Sequence, residues 1–260
     1  MSLLHALLYG IVEGIGEFLP ISSTGHLILL STILRESQTD FVKTFEIVIQ
    51  LGAILAAVVL YAKRLLTNWR LLGKVIVAFI PTGIIGLAVY HLVKTYLLGN
   101  QNIVLIALLL GGIALIVFEY WYARRIVQGS TADLSQLTYG QAFFVGLIQV
   151  VSFIPGVSRS AATIVGGMLM GVNRAVIVEF SFMLAIPTMA AATGLDLLKT
   201  GWQFSHAEWM ALAVGLFASF IVALFAIRWL IRFVKSNTFT PFGVYRIAAS
   251  ILFWLLVVRG

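Results

Sequence analysis

The sequence predicts an all-α polytopic membrane protein with an inverted-topology repeat, each half one re-entrant helical hairpin plus three transmembrane helices. Three observations carry this. Hydrophobic residues make up 61% of the chain and charged residues 10%, with a mean hydropathy of +1.04, a composition suited to lipid and not to water. The apolar runs are long and continuous, without the period-2 alternation of a membrane β-barrel. Two of the runs are broken by a proline and a cluster of hydroxyl residues, at 13–26 and 155–160, where polar groups are costly unless they have a task.

Taken in order, residues 3–34 hold apolar pieces of about 14–16 residues on either side of a polar turn, each short of the roughly 20 that a span needs. A re-entrant hairpin fits them. Pro20 lacks an N–H and biases Leu19 away from helical geometry, so the first helix should stop there and a second should run from Leu27 to Leu34. Spans follow at 43–62, 75–97 and 103–122, with a tight turn near Gly99-Asn100. The third ends in an aromatic belt, Tyr120-Trp121-Tyr122, and then Arg124-Arg125. A polar connector, Gly129 to Thr138, leads to a second hairpin at 139–172 centred on Pro155-Gly156-Val157-Ser158-Arg159-Ser160. The remaining spans lie at 176–198, 208–233 and 241–258. No composition shift divides the chain, so it reads as a single membrane domain, with repeat one about 1–122 and repeat two about 138–260. The apolar N-terminus has no basic n-region, and Glu13 and Glu17 interrupt it, so it belongs to the mature fold and not to a signal peptide.

The halves match in order. Gly10-Ile11-Val12-Glu13 aligns with Gly146-Leu147-Ile148-Gln149, and in both a proline and a hydroxyl-rich turn follow. With an odd number of crossings per half, the second half must enter from the opposite side, and the two hairpin turns should meet near the midplane. Lys63, Arg64, Arg70, Lys74, Arg124, Arg125, Arg228, Arg232 and Lys235 fall on one side, against Arg35, Lys43, Lys94, Lys199 and Arg259 on the other. The richer set belongs in the cytoplasm and both termini outside. The net charge of +7 is carried mainly by these short loops, which suits anionic membrane lipids and excludes nucleic acid as the partner. The absence of cysteine excludes disulfides and thiolate chemistry.

The chemistry concentrates at Glu13 to His26. Glu13 and Glu17 stand at i and i+4, on one helix face, and two carboxylates so close need a cation between them, either a divalent metal or an arginine. Ser22, Ser23, Thr24 and Gly25 precede a helix whose first N–H groups and dipole favour an anion. His26 follows Ser23 by three residues, within reach as a base towards it or towards water. Arg159 at the second tip should lie near Glu13, Glu17 and His26, as a bidentate phosphate ligand. Glu46 and Gln50 share a helix face and support the site from behind, or simply hydrogen-bond within the fold. Glu179 and Arg174 read as a local salt bridge or a helix-foot anchor, and Gly10, Gly14, Gly166, Gly167 and Gly171 as sites of close helix approach.

Three segments, EGIGEFLPISSTGH at 13–26, FEIVIQLGAILA at 45–56 and PGVSRSAATIVGGMLMG at 155–171, resemble the signature segments of the bacterial undecaprenyl-diphosphate phosphatase family, the one linked to bacitracin resistance. The similarity runs from about residue 3 to 255. It implies an enzyme of the bacterial plasma (inner) membrane that removes the terminal phosphate of a C55 isoprenyl diphosphate, recycling the lipid carrier for peptidoglycan synthesis. It implies a site open to the outer (periplasmic) face and a divalent cation, Mg²⁺ or Ca²⁺. By motif, Glu13 and Glu17 match the paired acids, Ser23 and His26 the nucleophile and its partner, and Arg159 the phosphate-binding arginine. Ser22, Thr24, Gly25, Ser158, Ser160 and Thr163 match the residues that line the pocket. A homodimer is a candidate assembly. The rival is a secondary transporter or lipid flippase, since broken helices at the midplane are also carrier architecture; a carrier needs an anion site but no nucleophile beside a base.

The charge bias makes a testable statement about orientation. Cysteine introduced by Ser37→Cys should react with an impermeant thiol reagent added outside intact cells, and Ser130→Cys should not; the reverse labelling inverts the topology.

Overall fold

The computed structural model describes residues 1–37, 39–97, 100–124, 133–199 and 204–258. Ten α-helices occur among them: α1 (Leu3–Gly16), α2 (Ser23–Ile33), α3 (Asp40–Thr67), α4 (Trp69–Leu92), α5 (Gln101–Ala123), α6 (Tyr139–Gln149), α7 (Arg159–Leu169), α8 (Arg174–Lys199), α9 (His206–Phe233) and α10 (Thr240–Phe253). Gly99, Arg125, residues 129–132 and Arg259, and the side chains of Lys94 and Lys199, lie outside the described residues.

The helices begin where the sequence supplies acceptors for their first N–H groups. Thr39, Asn68 and Asn100 cap α3, α4 and α5, while Thr138 with Gln141 and Ser205 with Glu208 form capping boxes on α6 and α9. Such caps extend α3 beyond its apolar window, to Asp40–Thr67 instead of 43–62, because its charged ends carry the helix on past the hydrocarbon. Five helices, α3, α4, α5, α8 and α9, are long and apolar enough to cross a membrane. The sixth expected span is shorter: α10 covers 14 residues and passes into a π-helical turn at Trp254–Val258. Pro81 and Pro187 sit inside α4 and α8 without ending them, as neighbouring helices permit in a membrane. Val59, Ile84, Leu87, Val117 and Phe225 are each more than half exposed; so many large apolar side chains facing outward belong against lipid.

Small residues set how closely the helices approach. A Cβ at Gly10 of α1 would come within 2.4 Å of the Gly215 carbonyl oxygen on α9, and one at Gly146 of α6 within 1.8 Å of the Ala78 carbonyl oxygen on α4. Each of these glycines seats a short helix on a long one. Gly52 seats α3 on α9 in the same way, with 2.4 Å to the Leu216 carbonyl oxygen. Gly14, Gly166 and Gly167 also meet close neighbours, but Gly171 has nothing within 4 Å. Its φ of +78° ends α7 in a left-handed turn, a backbone role and not a packing one.

The expected pair of Arg174 with Glu179 is not formed. Five residues apart on one helix, they point to different faces. Glu179 instead accepts from Arg64 of α3 at 2.7 Å, and Arg174 donates to Glu119 of α5 at 2.7 Å. Glu119 also accepts the backbone N–H of Phe239 at 2.7 Å, which ties the start of α10 to the ends of α5 and α8. Both ion pairs therefore join helices that the chain order separates.

The glycine geometry can be tested within one helix. Gly146→Ala should lower stability by about 1–3 kcal/mol, the usual cost of overpacking. Gly140→Ala, whose nearest neighbour is the Thr138 hydroxyl at 3.9 Å, should be neutral or stabilise by up to about 1 kcal/mol through helix propensity. Thermal unfolding in detergent measures both, and equal effects would contradict the α4–α6 contact.

Candidate active site

The two breaks touch each other. Helix α1 ends at Gly16, earlier than the proline alone would require, because the chain folds back so tightly that a Cβ at Gly16 would lie 2.8 Å from the Ser23 Cα. Glu17 follows as the cap and keeps helical geometry, its N–H bonding to the Glu13 carbonyl at 2.9 Å. The two carboxylates thus remain one turn apart. After Pro20 the backbone passes through Ser22 at φ 73°, a left-handed conformation that costs a non-glycine residue of order 1–3 kcal/mol and tends to mark functional sites. Helix α2 then begins at Ser23, four residues before the expected Leu27, with the Ser22 hydroxyl capping Gly25 N–H at 3.4 Å.

The second tip binds the first. Helix α7 starts at Arg159 with Ser158 as its cap, and the Ser160 and Ser158 hydroxyls reach the Leu19 carbonyl at 2.9 and 3.5 Å. Thr163 is bonded to the Ser181 hydroxyl of α8 at 2.6 Å and to the carbonyls of Arg159 and Ser160. All three of these residues, expected to line a pocket, are buried with their hydroxyls engaged, Ser158 and Ser160 in joining the tips and Thr163 in holding α7 to α8. Gly25 is close-packed for the same reason, its Cβ position lying 3.6 Å from the Gly156 Cα. Thr24 stands half-buried on the first turn of α2.

Glu17 is the hub. Its Oε2 accepts the Ser23 hydroxyl at 2.7 Å, and its Oε1 accepts Arg159 Nη2 at 3.1 Å and Nε at 3.3 Å. Arg159 Nη1 donates to the Ser181 carbonyl at 3.1 Å, and the guanidinium lies 5.9 Å from the Phe18 ring centroid. Of the two cations the paired acids could take, arginine is the one the fold brings to Glu17. Glu13 is different: it is fully buried, and neither carboxylate oxygen has a hydrogen-bond partner. Its neighbours are Glu17 and Glu46 of α3, both acids, and the Ser23 hydroxyl, whose hydrogen bond goes to Glu17. Gln50, one turn on from Glu46, is half-buried. Among the described residues no group of three or more histidine or acidic side chains is placed to hold a metal.

His26 does not bond to Ser23. Its Nδ1 meets the Ser22 carbonyl at 2.8 Å, so Nδ1 carries the proton and Nε2 accepts from the Tyr245 hydroxyl, also at 2.8 Å. The imidazole and phenol rings stack, 5.5 Å apart and 9° from parallel. The proton acceptor beside Ser23 is therefore Glu17, and His26 is aimed by α10. Tyr245 and its neighbour Arg246 were not among the residues singled out from the sequence, although an arginine inside the apolar run 241–258 is itself a signal.

Fold and site together define a multi-pass helical membrane protein with a serine, two acids, a histidine and an arginine gathered where two broken helices meet. The chain belongs to the bacitracin resistance protein BacA family, whose sequence profile matches residues 6–252. It is 51% identical over 249 residues to the undecaprenyl-diphosphatase of Aquifex aeolicus (strain VF5), covering 96% of each chain. It is 47% identical over 255 residues to that of Sulfurihydrogenibium sp. (strain YO3AOP1), covering 98% of this chain and 99% of the relative. With the undecaprenyl-diphosphatase of Persephonella marina (strain DSM 14350 / EX-H1) it shares 45% over 258 residues, 99% of this chain and 100% of the other.

The contrast between the two acids predicts opposite effects on stability. Glu17→Gln leaves Arg159 buried beside a neutral amide and should cost about 3–5 kcal/mol. Glu13→Gln replaces a buried carboxyl whose oxygens have no hydrogen-bond partner, so with chelator present stability should hold or rise. Equal losses in thermal unfolding would mean that Glu13 has a partner of its own.

Proposed function

We propose that this chain hydrolyses undecaprenyl diphosphate to undecaprenyl phosphate and inorganic phosphate in the bacterial plasma membrane, at a site open to the outer face. The observation that carries the reading is the Ser23 hydroxyl held 2.7 Å from Glu17 Oε2, with Arg159 on the other oxygen of the same carboxylate. Names of relatives at 45–51% identity over nearly the whole chain point to the same substrate, and the excess of basic residues on one side favours an outward-facing site.

The chemistry follows from the placement of these groups. The terminal phosphate of the substrate carries charge that must be met by fixed donors. Arg159 offers two N–H groups in a plane, and the N-terminus of α2 adds its dipole at Ser23. As the Ser23 oxygen attacks phosphorus, its proton passes to Glu17 Oε2, and the bond to the bridging oxygen breaks, releasing the lipid monophosphate. Water then attacks the phosphoserine. Its proton goes to a base at the site, the Ser23–phosphorus bond breaks, and Ser23 recovers a proton as inorganic phosphate leaves. His26, held through Tyr245, is placed to orient that water or to shuttle its proton.

A divalent cation, Mg²⁺ or Ca²⁺, fits the donor set. Glu13 presents two buried oxygens without donors, one turn from Glu17, and one or two carboxylates completed by substrate phosphate is the common pattern for Mg²⁺. When bound, such an ion supplies positive charge to the phosphate oxygens. Glu13 and Glu17 would hold it, and Arg159 would be freed from Glu17 to meet the phosphate.

A carrier or flippase would use the same broken helices and the same arginine. It would have no use for a serine hydrogen-bonded to a carboxylate, and that bond favours the hydrolase.

Phosphate release from C55 diphosphate by the purified protein tests the reading. Ser23→Ala should abolish turnover, and label from the terminal phosphate should be trapped on the protein when hydrolysis is slowed by His26→Gln. Loss of only about 10- to 100-fold in Ser23→Ala, the value of one hydrogen bond, with no trapped label, would replace the phosphoserine by direct attack of water. Lipid movement without phosphate release would favour the carrier.

A further inference from the structure

Arg246 lies in α10 with 1% of its surface exposed. Among the described residues no carboxylate pairs with it. Its donors go to backbone carbonyls from three separate segments: Nη2 to Ala107 at 3.0 Å and Nε to Leu108 at 3.4 Å on α5, Nη1 to Pro20 at 3.4 Å, and Nη2 to Gly156 at 2.9 Å. Pro20 lies in the break between α1 and α2, and Gly156 in the break between α6 and α7. Helices interrupted within a membrane leave such carbonyls without N–H partners. One planar cation supplies both.

A second observation shows that the fold makes room for this group. A Cβ at Gly111 of α5 would lie 2.1 Å from Arg246 Nη2 and 2.7 Å from its Cζ. Beside it, Gly112 and Gly243 let α5 and α10 touch, each Cβ position falling within 2.7–2.8 Å of the other's carbonyl oxygen. The glycines bring α10 against α5 and leave a slot that the guanidinium fills.

We propose that Arg246 is the positioning residue that holds the two hairpin tips in register, so that the serine of one tip faces the arginine of the other. Pro20 is three residues before Ser23, and Gly156 three before Arg159. A shift of either tip carries its functional side chain with it. Arg246 does not reach the substrate, being enclosed by the carbonyls it binds. Its neighbour Tyr245 orients His26, so one turn of α10 aims both tips and the histidine. A lysine preserves the charge but not the fork, and cannot serve carbonyls on three segments at once.

The test compares Arg246→Lys, Arg246→Met, Gly111→Ala and the double variant Gly111→Ala/Arg246→Met with the wild type, all as full-length protein in detergent. Backbone hydrogen exchange in residues 18–26 and 154–161 should rise together in every variant, with exchange in α3 and α9 unchanged. Activity towards C55 diphosphate should fall about 100-fold in kcat, the effect of misplacing reacting groups by about 1 Å, with KM within about threefold. Adding Gly111→Ala to Arg246→Met should cost nothing further, since the slot it fills is then vacant. The activity arm rests on the phosphatase reading and the exchange arm does not, so a wild type that releases no phosphate defeats that reading alone. Unchanged exchange at the tips, loosening spread evenly through the protein, or additive losses in the double variant would each overturn the role assigned to Arg246.

Discussion

A broken helix inside hydrocarbon has nowhere to send its free N–H and C=O groups, and this protein breaks two helices at one place. Many of the polar side chains near the tips answer that constraint first. Ser22 and Ser158 cap the helices that restart, Ser160 takes the Leu19 carbonyl, Arg159 takes the carbonyls of Glu17 and Ser181, and Arg246 those of Pro20 and Gly156. What remains over is the Ser23 hydroxyl, the Glu17 carboxylate, the outer nitrogen of His26, and Glu13.

Glu17 and Glu13 show how the same residue type acquires two roles one turn apart. Glu17 meets a cation and a hydroxyl donor from opposite directions. Glu13 lies beside two other acids, and the nearby Ser23 hydroxyl is bonded to Glu17 instead. In a medium of low dielectric the first is a satisfied hub and the second a buried carboxyl whose oxygens have no hydrogen-bond partner.

Much of the site was legible from residue types alone. Carboxylates, hydroxyls and a histidine inside apolar sequence stand out against hydrocarbon, and Pro20 and Pro155 mark the turns. Which group serves which was not legible. Ser23 and His26 are three residues apart, and local spacing suggests a bond; the backbone at Ser22 turns His26 onto its own carbonyl and leaves Ser23 to Glu17. Arg174 and Glu179 were paired by nearness in sequence, yet each found its partner on another helix. Tyr245 and Arg246 act across more than 200 residues of chain on groups in the first hairpin, and no local pattern can report a partner so distant.

By itself the sequence determined that the chain is helical and lies in a membrane, that its polar groups gather at two breaks, and which residue types are available there. Composition and the length of apolar runs decide those matters, because transfer to lipid depends on side-chain identity and hardly on context. Only the tertiary structure decided the pairings: Arg159 with Glu17, His26 with Tyr245, Arg246 with both tips, and Glu13 with no donor. Hydrogen bonds and ion pairs depend on distances of a few tenths of an ångström, and those are set by how closely the glycines let one helix approach another.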